Sequence, residues 1–150
     1  MNTEKMVKIV YNSEPGVFGI SEEGMKRYAE LKGIPLYVEK NKRGVNEYWT
    51  VSPEERVGII FDQREYRKAS EDEQRLSREL YKKYTMSCFI FERTDPALVQ
   101  VVEELEELAY GEHAVMQIAV LKEGTKYRII DEESAGEFVQ TEDMIAWKVA

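Results

Sequence analysis

Residues 95–111 constrain the fold most, because they carry a complete set of signals for one amphipathic helix. Asp95 is a helix-capping residue type, and Pro96 follows it at the first helical position, where a missing N–H costs nothing. Apolar residues then recur at three- and four-residue spacing, so one face is apolar and the glutamates face water. We expect Gly111 to end the helix in the left-handed conformation. The residues predicted to be buried together are Leu98, Val101, Val102 and Leu105 with Val115, Ile118 and Val120.

The other elements alternate irregularly along the chain. Strands are predicted at 6–11, 36–39, 47–51, 87–92, 114–121 and 126–131, and helices at 22–32, 71–84 and 96–109. Residues 36–51 and 114–131 have the spacing of two hairpins, while Phe138, Ile145 and Trp147 predict a tail that packs on the sheet. Because helices interrupt the hairpins, the pattern predicts an α+β fold, a mainly antiparallel sheet packed against about three helices.

Length, cysteine content and charge bound the class of protein. A chain of 150 residues is the size of a single domain, so we expect one domain over residues 1–150. One cysteine, Cys88, excludes an internal disulfide and suits the cytoplasm. No apolar run has the length of a signal peptide or a membrane span, so we expect a soluble cytoplasmic protein without membrane contact. A formal charge of −8 argues against direct nucleic-acid binding.

Five sequence blocks occur in order: residues 7–10 (VKIV), 16–21 (GVFGIS), 27–33 (RYAELKG), 36–39 (LYVE) and 95–105 (DPALVQVVEEL). Together they resemble a family of small proteins encoded by tailed bacteriophages, which also has scattered cellular relatives. The resemblance implies a phage accessory protein acting in the host cytoplasm, and it implies no particular reaction. Relative to the family, residues 53–90 look like an insertion, and residues 133–136 replace an acidic Tyr-Asp-Gly ending.

The chain is poor in residues for catalysis and metal binding. His113 is its only histidine, which excludes a Ser-His-Asp triad, a three-histidine zinc site and a His-Glu-x-x-His helix. We interpret His113 as a strand-edge residue and Cys88 as a buried thiol. No catalytic residue, metal ligand or cofactor is predicted, and the balance favours a protein that is not an enzyme.

Two segments are candidates for binding an anion. Residues 16–21 form a glycine-containing loop between a strand and a helix, where backbone N–H groups can meet a phosphate, although tight-turn geometry is the favoured explanation of the glycines. The hairpin at 36–51 combines aromatic rings with a basic tip, and packing in a core is the alternative explanation. The residues predicted to bind a small anionic ligand are Gly16, Phe18, Gly19, Ser21, Arg43, Tyr48 and Trp49.

These observations favour a phage accessory protein that binds a host component without catalysis. The hypothesis is counter-defence by sequestering a small nucleotide-like ligand; the partner is either such a ligand or a host protein. Two alternatives stay open. One is a small hydrolase of nucleotide derivatives, and the other is an acidic inhibitor of protein interactions that uses glutamates such as Glu103 and Glu107. A homo-oligomer also stays open.

Overall fold

A computed structural model describes residues 4–145 and 149–150, and over these ranges the chain has an α+β fold with antiparallel strand pairs, as the sequence predicts. In chain order the elements are β1 (Met6–Asn12), α1 (Glu22–Lys32), β2 (Tyr37–Lys40), β3 (Asn46–Trp49), α2 (Gln63–Lys68), α3 (Glu71–Tyr84), β4 (Thr85–Met86), α4 (Pro96–Leu105), β5 (Met116–Lys122), β6 (Tyr127–Glu132) and β7 (Gly136–Thr141). Short 3-10 helices occupy Pro53–Glu55, Glu106–Ala109 and Glu142–Met144.

The chain divides into two compact units. The first unit consists of Met1–Lys32 and Cys88–Ala150, and the second is the intervening segment Gly33–Ser87. The second unit contains most of the segment 53–90 that the family resemblance marks as an insertion, but it begins earlier, at Gly33.

The core of the first unit lies where β1, β5, α1 and α4 meet. Strands β1 and β5 pair antiparallel, with Ile9 opposite Ala119. Ile9, Val10 and Met25 are fully buried. Helix α4 begins as predicted, since Asp95 Oδ1 accepts a hydrogen bond from the Ala97 backbone N–H at 2.9 Å.

The predicted apolar face of α4 is only partly buried. Leu98, Val101 and Val102 lie in the core, whereas Leu105 is half-buried. The end of α4 explains Leu105, because Glu106 takes a positive φ of 51° and the 3-10 helix that follows does not continue the apolar face. Of the residues near β5, Val115 and Ile118 are half-buried, and Val120 is 50% exposed, so the predicted burial was wrong for Val120.

Gly111 does not end α4 in the way the sequence predicts. The chain turns earlier, at Glu106, and Gly111 instead lies against Gly19. Its N–H donates to the Gly19 carbonyl oxygen at 2.9 Å, and a Cβ on Gly111 would stand 2.7 Å from the same carbonyl group. Glycine is therefore required at position 111 for a close backbone approach.

The second predicted hairpin, 114–131, is wrong in its pairing. Strand β5 pairs with β1, and β6 pairs with β7, a strand that the sequence analysis missed. The Glu123 N–H donates to the Lys5 carbonyl oxygen at 2.8 Å, so the turn after β5 extends its pairing with the β1 side. Phe138 of the predicted tail lies in β7, Ile145 is half-buried, and Trp147 falls outside the described residues.

The strand predicted at 87–92 is absent, since the part of the chain that the structure describes has no strand between β4 and α4. Strand β4 ends at Met86, and in the segment after it the Ile20 N–H donates to the Cys88 carbonyl oxygen and the Val10 N–H to the Arg93 carbonyl oxygen. Single bonds do not form a ladder, and consequently Phe89 and Ile90 are 55% and 80% exposed.

The second unit combines the β2–β3 hairpin, β4, α2 and α3. Strand β4 pairs with β3. The predicted capping box of α3 is confirmed, because Ser70 Oγ accepts from the Glu73 N–H while Glu73 bonds back to Ser70. Buried Trp49 lies at the centre of the unit. Among the residues described for the whole chain, no helix is long and apolar enough to cross a lipid bilayer.

Candidate functional site

A cleft of about 640 Å³ in the second unit is the strongest candidate site. Its volume falls within the range of roughly 300 to 1,000 Å³ that is usual for small-molecule sites. Three segments form it: the tip of the β2–β3 hairpin, the loop before α2, and the middle of α3. The lining residues are Lys40, Asn41, Lys42, Arg43, Glu47, Ile59, Ile60, Phe61, Ser77, Arg78 and Tyr81.

The cleft is positively charged on a chain that is acidic overall. Lys40, Lys42, Arg43 and Arg78 line it, against one carboxylate, Glu47. Within the described part of the chain, none of these four cations forms a salt bridge. Four cations close together repel one another, and a bound anion would relieve that repulsion.

The hairpin tip that carries three of these cations is held in shape by Asn41. Its Oδ1 accepts hydrogen bonds from the backbone N–H groups of Arg43, at 2.9 Å, and Val45, at 3.1 Å. The Gly44 N–H donates to the Asn41 carbonyl oxygen at 2.9 Å. This Asx-type turn fixes the backbone that carries the cations.

An apolar wall faces the same cleft. Phe61 is 63% exposed, and its chain neighbours Ile59 and Ile60 are half-buried. The segment is anchored by the buried Ser77, whose Oγ accepts a hydrogen bond from the Ile60 N–H at 2.9 Å. An exposed aromatic ring beside cations offers both a stacking face and charge.

Glu47 and Tyr81 form a hydrogen-bonded pair in the cleft. The Tyr81 hydroxyl donates to Glu47 Oε2 at 2.5 Å. This bond to a carboxylate, together with burial, raises the pKa of Tyr81 to about 12. Tyr81 therefore keeps its proton at neutral pH, and it also packs edge-on against Trp49 with ring centroids 5.4 Å apart.

The rings predicted to stack on a ligand, Tyr48 and Trp49, are both buried and do not line the cleft. One face of Trp49 is covered by the Arg56 guanidinium, 4.0 Å from the ring centroid, and Phe61 packs at 5.8 Å. These contacts give Trp49 a packing role. Its role in ligand binding, and that of Tyr48, stay predictions without a supporting contact, whereas Arg43 does line the cleft.

The predicted glycine loop belongs to the first unit, and its residues have contacts of their own. Phe18 is buried beneath the Arg93 guanidinium, which lies 3.5 Å from its ring centroid. Gly16 has a positive φ of 129°, as a tight turn requires. Ser21 caps α1, since its Oγ accepts from the Gly24 N–H at 3.1 Å. A Cβ on Gly19 would meet the Phe89 ring at 3.0 Å. Anion binding by this loop stays a prediction.

The acidic face of α4 is partly neutralised by the chain itself. Glu103 accepts a salt bridge from Lys8 at 2.9 Å, and Glu104 accepts two hydrogen bonds from Arg27, at 2.8 and 3.2 Å. The Arg27 contact lowers the pKa of Glu104 to about 2. These carboxylates are engaged inside the first unit, which weakens their use as a metal site or as a surface for a basic partner.

The remaining reactive groups do not converge. Burial raises the pKa of the Cys88 thiol, and a thiol that keeps its proton is a poor nucleophile. His113 is exposed, and its Nε2 lies 3.4 Å from Oε1 of the adjacent Glu112. No group of three or more histidine, cysteine, aspartate or glutamate residues suited to a metal was found within residues 4–145 and 149–150.

Sequence reasoning missed Phe61, Arg78 and Tyr81, which complete the cleft. Arg78 and Tyr81 stand three residues apart on α3, where the helical repeat places them on one face, and this spacing was the available signal. Phe61 carried no comparable signal.

Comparison of the chain with protein-family models, with curated proteins and with solved structures found no match.

Proposed function

We propose that the protein binds a small nucleotide-like anion without catalysis, in the cationic cleft of the second unit. The observation that carries the proposal is the combination, in one cleft, of four cations without salt bridges and the exposed ring of Phe61. A nucleotide presents matching chemistry, because its phosphate is an anion and its base is a flat ring that stacks.

The basic residues fit the phosphate end of such a ligand. Arg43 can donate two parallel N–H groups to phosphate oxygens, and the lysines at the same tip supply point charges. Arg78 stands on a different element, α3, where its Nη1 donates to the Tyr66 hydroxyl at 2.6 Å. That bond holds the guanidinium in place before a ligand arrives, which lowers the entropy lost on binding.

The lining residues support binding better than hydrolysis. The one carboxylate of the cleft, Glu47, already accepts a hydrogen bond from Tyr81, and the hydroxyl of Ser77 is buried and bonded to Ile60. A pair of carboxylates or a nucleophile with an adjacent base would favour an enzyme. Among the described residues that line the cleft there is no pair of carboxylates, and the raised pKa of Tyr81 makes its hydroxyl a weak nucleophile although it is hydrogen-bonded to Glu47.

The biological setting is proposed from the sequence resemblance. A tailed-phage accessory protein that sequesters a nucleotide-like molecule in the host cytoplasm would act as a counter-defence factor. A protein that works by sequestration needs affinity and abundance rather than turnover, so the proposal requires no catalytic residues in the cleft.

Mass spectrometry of small molecules that copurify with the protein from infected cells tests this function. A phosphate-bearing aromatic compound should be enriched with the wild-type chain and with Arg64→Ala, and lost from Arg43→Ala. Arg64 is the matched control, because it is an exposed arginine of the same unit that does not line the cleft. No enriched compound, equal retention by Arg43→Ala, or retention of oligonucleotides alone would overturn the proposal.

A further inference from the structure

Glu47 is a single carboxylate among four cations, and anion binding alone does not explain it. A negative charge inside the cleft repels a phosphate, and a neutral side chain at position 47 would avoid that repulsion. The Glu47 side chain is half-buried on β3, so part of its hydration is lost. A carboxylate in that position calls for a second partner.

The two oxygens of Glu47 differ in their surroundings. Oε2 accepts a hydrogen bond from the Tyr81 hydroxyl at 2.5 Å, and no hydrogen bond to Oε1 is found among the described residues. Tyr81 donates from α3 and thereby fixes the carboxylate relative to that helix. Oε1 remains as an acceptor on a cleft-lining side chain whose orientation is already set.

We infer that Glu47 is the specificity-determining residue of the cleft and that it accepts a hydrogen bond from an amino group on the base of the bound nucleotide. This inference rests on the proposed function. If the phosphate of the nucleotide binds the cations and its base stacks on Phe61, the Glu47 carboxylate is the one anionic acceptor among the lining residues for the edge of the base. Adenine and guanine nucleotides carry an exocyclic amino group that donates, and a carboxylate accepts such a donor strongly.

This arrangement gives discrimination that stacking cannot supply. Every base has a ring face, so Phe61 alone would bind all nucleotides with similar affinity. A half-buried carboxylate that a ligand covers without offering a donor loses hydration without compensation, which penalises ligands that lack the amino group. Glu47 would thus lower the general affinity for phosphate and raise the selectivity for amino-bearing bases.

Calorimetric titration with two matched pairs of nucleotides tests the inference. AMP is compared with purine riboside 5′-monophosphate, and GMP with IMP, so that each pair differs in the amino group. For the wild-type protein we expect the amino-bearing member to bind about tenfold or more tightly, as a hydrogen bond to a charged group predicts. In Glu47→Gln both members should bind, and their ratio should fall to roughly one to three, well below that tenfold value.

Tyr81→Phe is the control that separates recognition from packing. It removes the hydroxyl that orients the carboxylate but keeps the carboxylate itself, so the preference for the amino-bearing nucleotide should weaken and still exceed that of Glu47→Gln. A preference lost equally in Tyr81→Phe and Glu47→Gln would mean that Glu47 acts only by positioning Tyr81, and would overturn the inference.

The remaining outcomes distinguish this inference from the proposed function. Binding of all four nucleotides with equal affinity, or an unchanged preference in Glu47→Gln, would overturn the role of Glu47 and leave the binding function standing. If none of the four nucleotides binds to the wild-type protein, both the inference and the proposed function are overturned.

Discussion

The Arg56 guanidinium lies 4.0 Å from the centroid of the Trp49 ring, and both side chains are buried. Arg56 also donates two hydrogen bonds to the Val51 carbonyl oxygen, at 3.3 and 3.1 Å, and forms a salt bridge with Glu39. A buried cation is tolerated when its N–H groups are satisfied, and here an aromatic face covers the rest. The contact holds the Trp49 ring, against which the cleft residues Phe61 and Tyr81 pack.

Arg56→Ala should therefore destabilise the second unit by about 1.5 to 3 kcal/mol, the usual range for a hydrogen bond to a charged group. Urea denaturation followed by far-ultraviolet circular dichroism measures the loss. The exposed Arg64→Ala should change stability by less than about 0.5 kcal/mol. Equal stability of Arg56→Ala and the wild type would contradict the packing role assigned to Arg56.

Leu98 should be the costliest leucine to truncate in the helix that the sequence predicts at 96–109. It is fully buried, and Leu98→Ala is expected to cost about 2 to 5 kcal/mol in unfolding free energy. Leu108, which is 68% exposed, supplies the matched control, and Leu108→Ala should be nearly neutral. Thermal and urea unfolding of the two variants measure the difference. The half-buried Leu105 is expected to lie between them.

The helix and its cap were predictable because their signals are local. Asp95 and Pro96 begin α4, and Ser70 with Glu73 begins α3, as the residue types alone indicate. Strand pairing was less predictable, because β1 and β5 are separated by the whole of the second unit and the turn after β5 resembles that of a hairpin. Local patterns do not specify which strand is the partner.

The sequence predicted a basic residue of the candidate site correctly, but it did not predict which aromatic residues line the site. Arg43 lies on a turn that Asn41 and Gly44 define in the sequence, and it lines the cleft. Tyr48 and Trp49 are aromatic strand residues, and aromatic residues in strands serve packing as often as binding, so composition could not distinguish the two uses. The sequence does not indicate that Phe61 lines the cleft, because its neighbours there, Arg78 and Tyr81, belong to helix α3.

Asp95 should make stability depend on pH in the acid range. Burial would raise its pKa, but hydrogen bonds from Tyr28 and Lys32 outweigh burial and lower the pKa below the ordinary value of 3.8. A carboxyl group whose pKa is lowered in the folded chain contributes its full stability at pH values above its pKa in the unfolded chain. That contribution is lost as pH falls through the folded-state pKa.

Asp95→Asn isolates this effect, because asparagine still caps the helix while the charge is gone. The stability advantage of the wild type over Asp95→Asn should be largest above about pH 4 and should shrink as the pH falls further. Tyr28→Phe removes the bond at 2.6 Å from the Tyr28 hydroxyl and should move the acid loss of stability to higher pH. A difference that is independent of pH would contradict the assignment.

Chelator treatment should leave the melting temperature unchanged. The chain has one histidine and one cysteine, and no cluster of potential ligands was found within the part that the structure describes. Differential scanning calorimetry with and without EDTA makes the comparison. A lower melting temperature in EDTA that is restored by added metal would show a site built from residues not recognised in this account.

The central claim is that the cleft of the second unit is the ligand site, and a nuclear magnetic resonance titration with AMP tests it most directly. Adding AMP to the 15N-labelled protein should shift backbone amides of residues 40–44 and 59–61, and Arg43→Ala, but not Arg64→Ala, should abolish the shifts. Absence of shifts in the wild-type protein, or shifts confined to the glycine loop at 16–21, would contradict the claim.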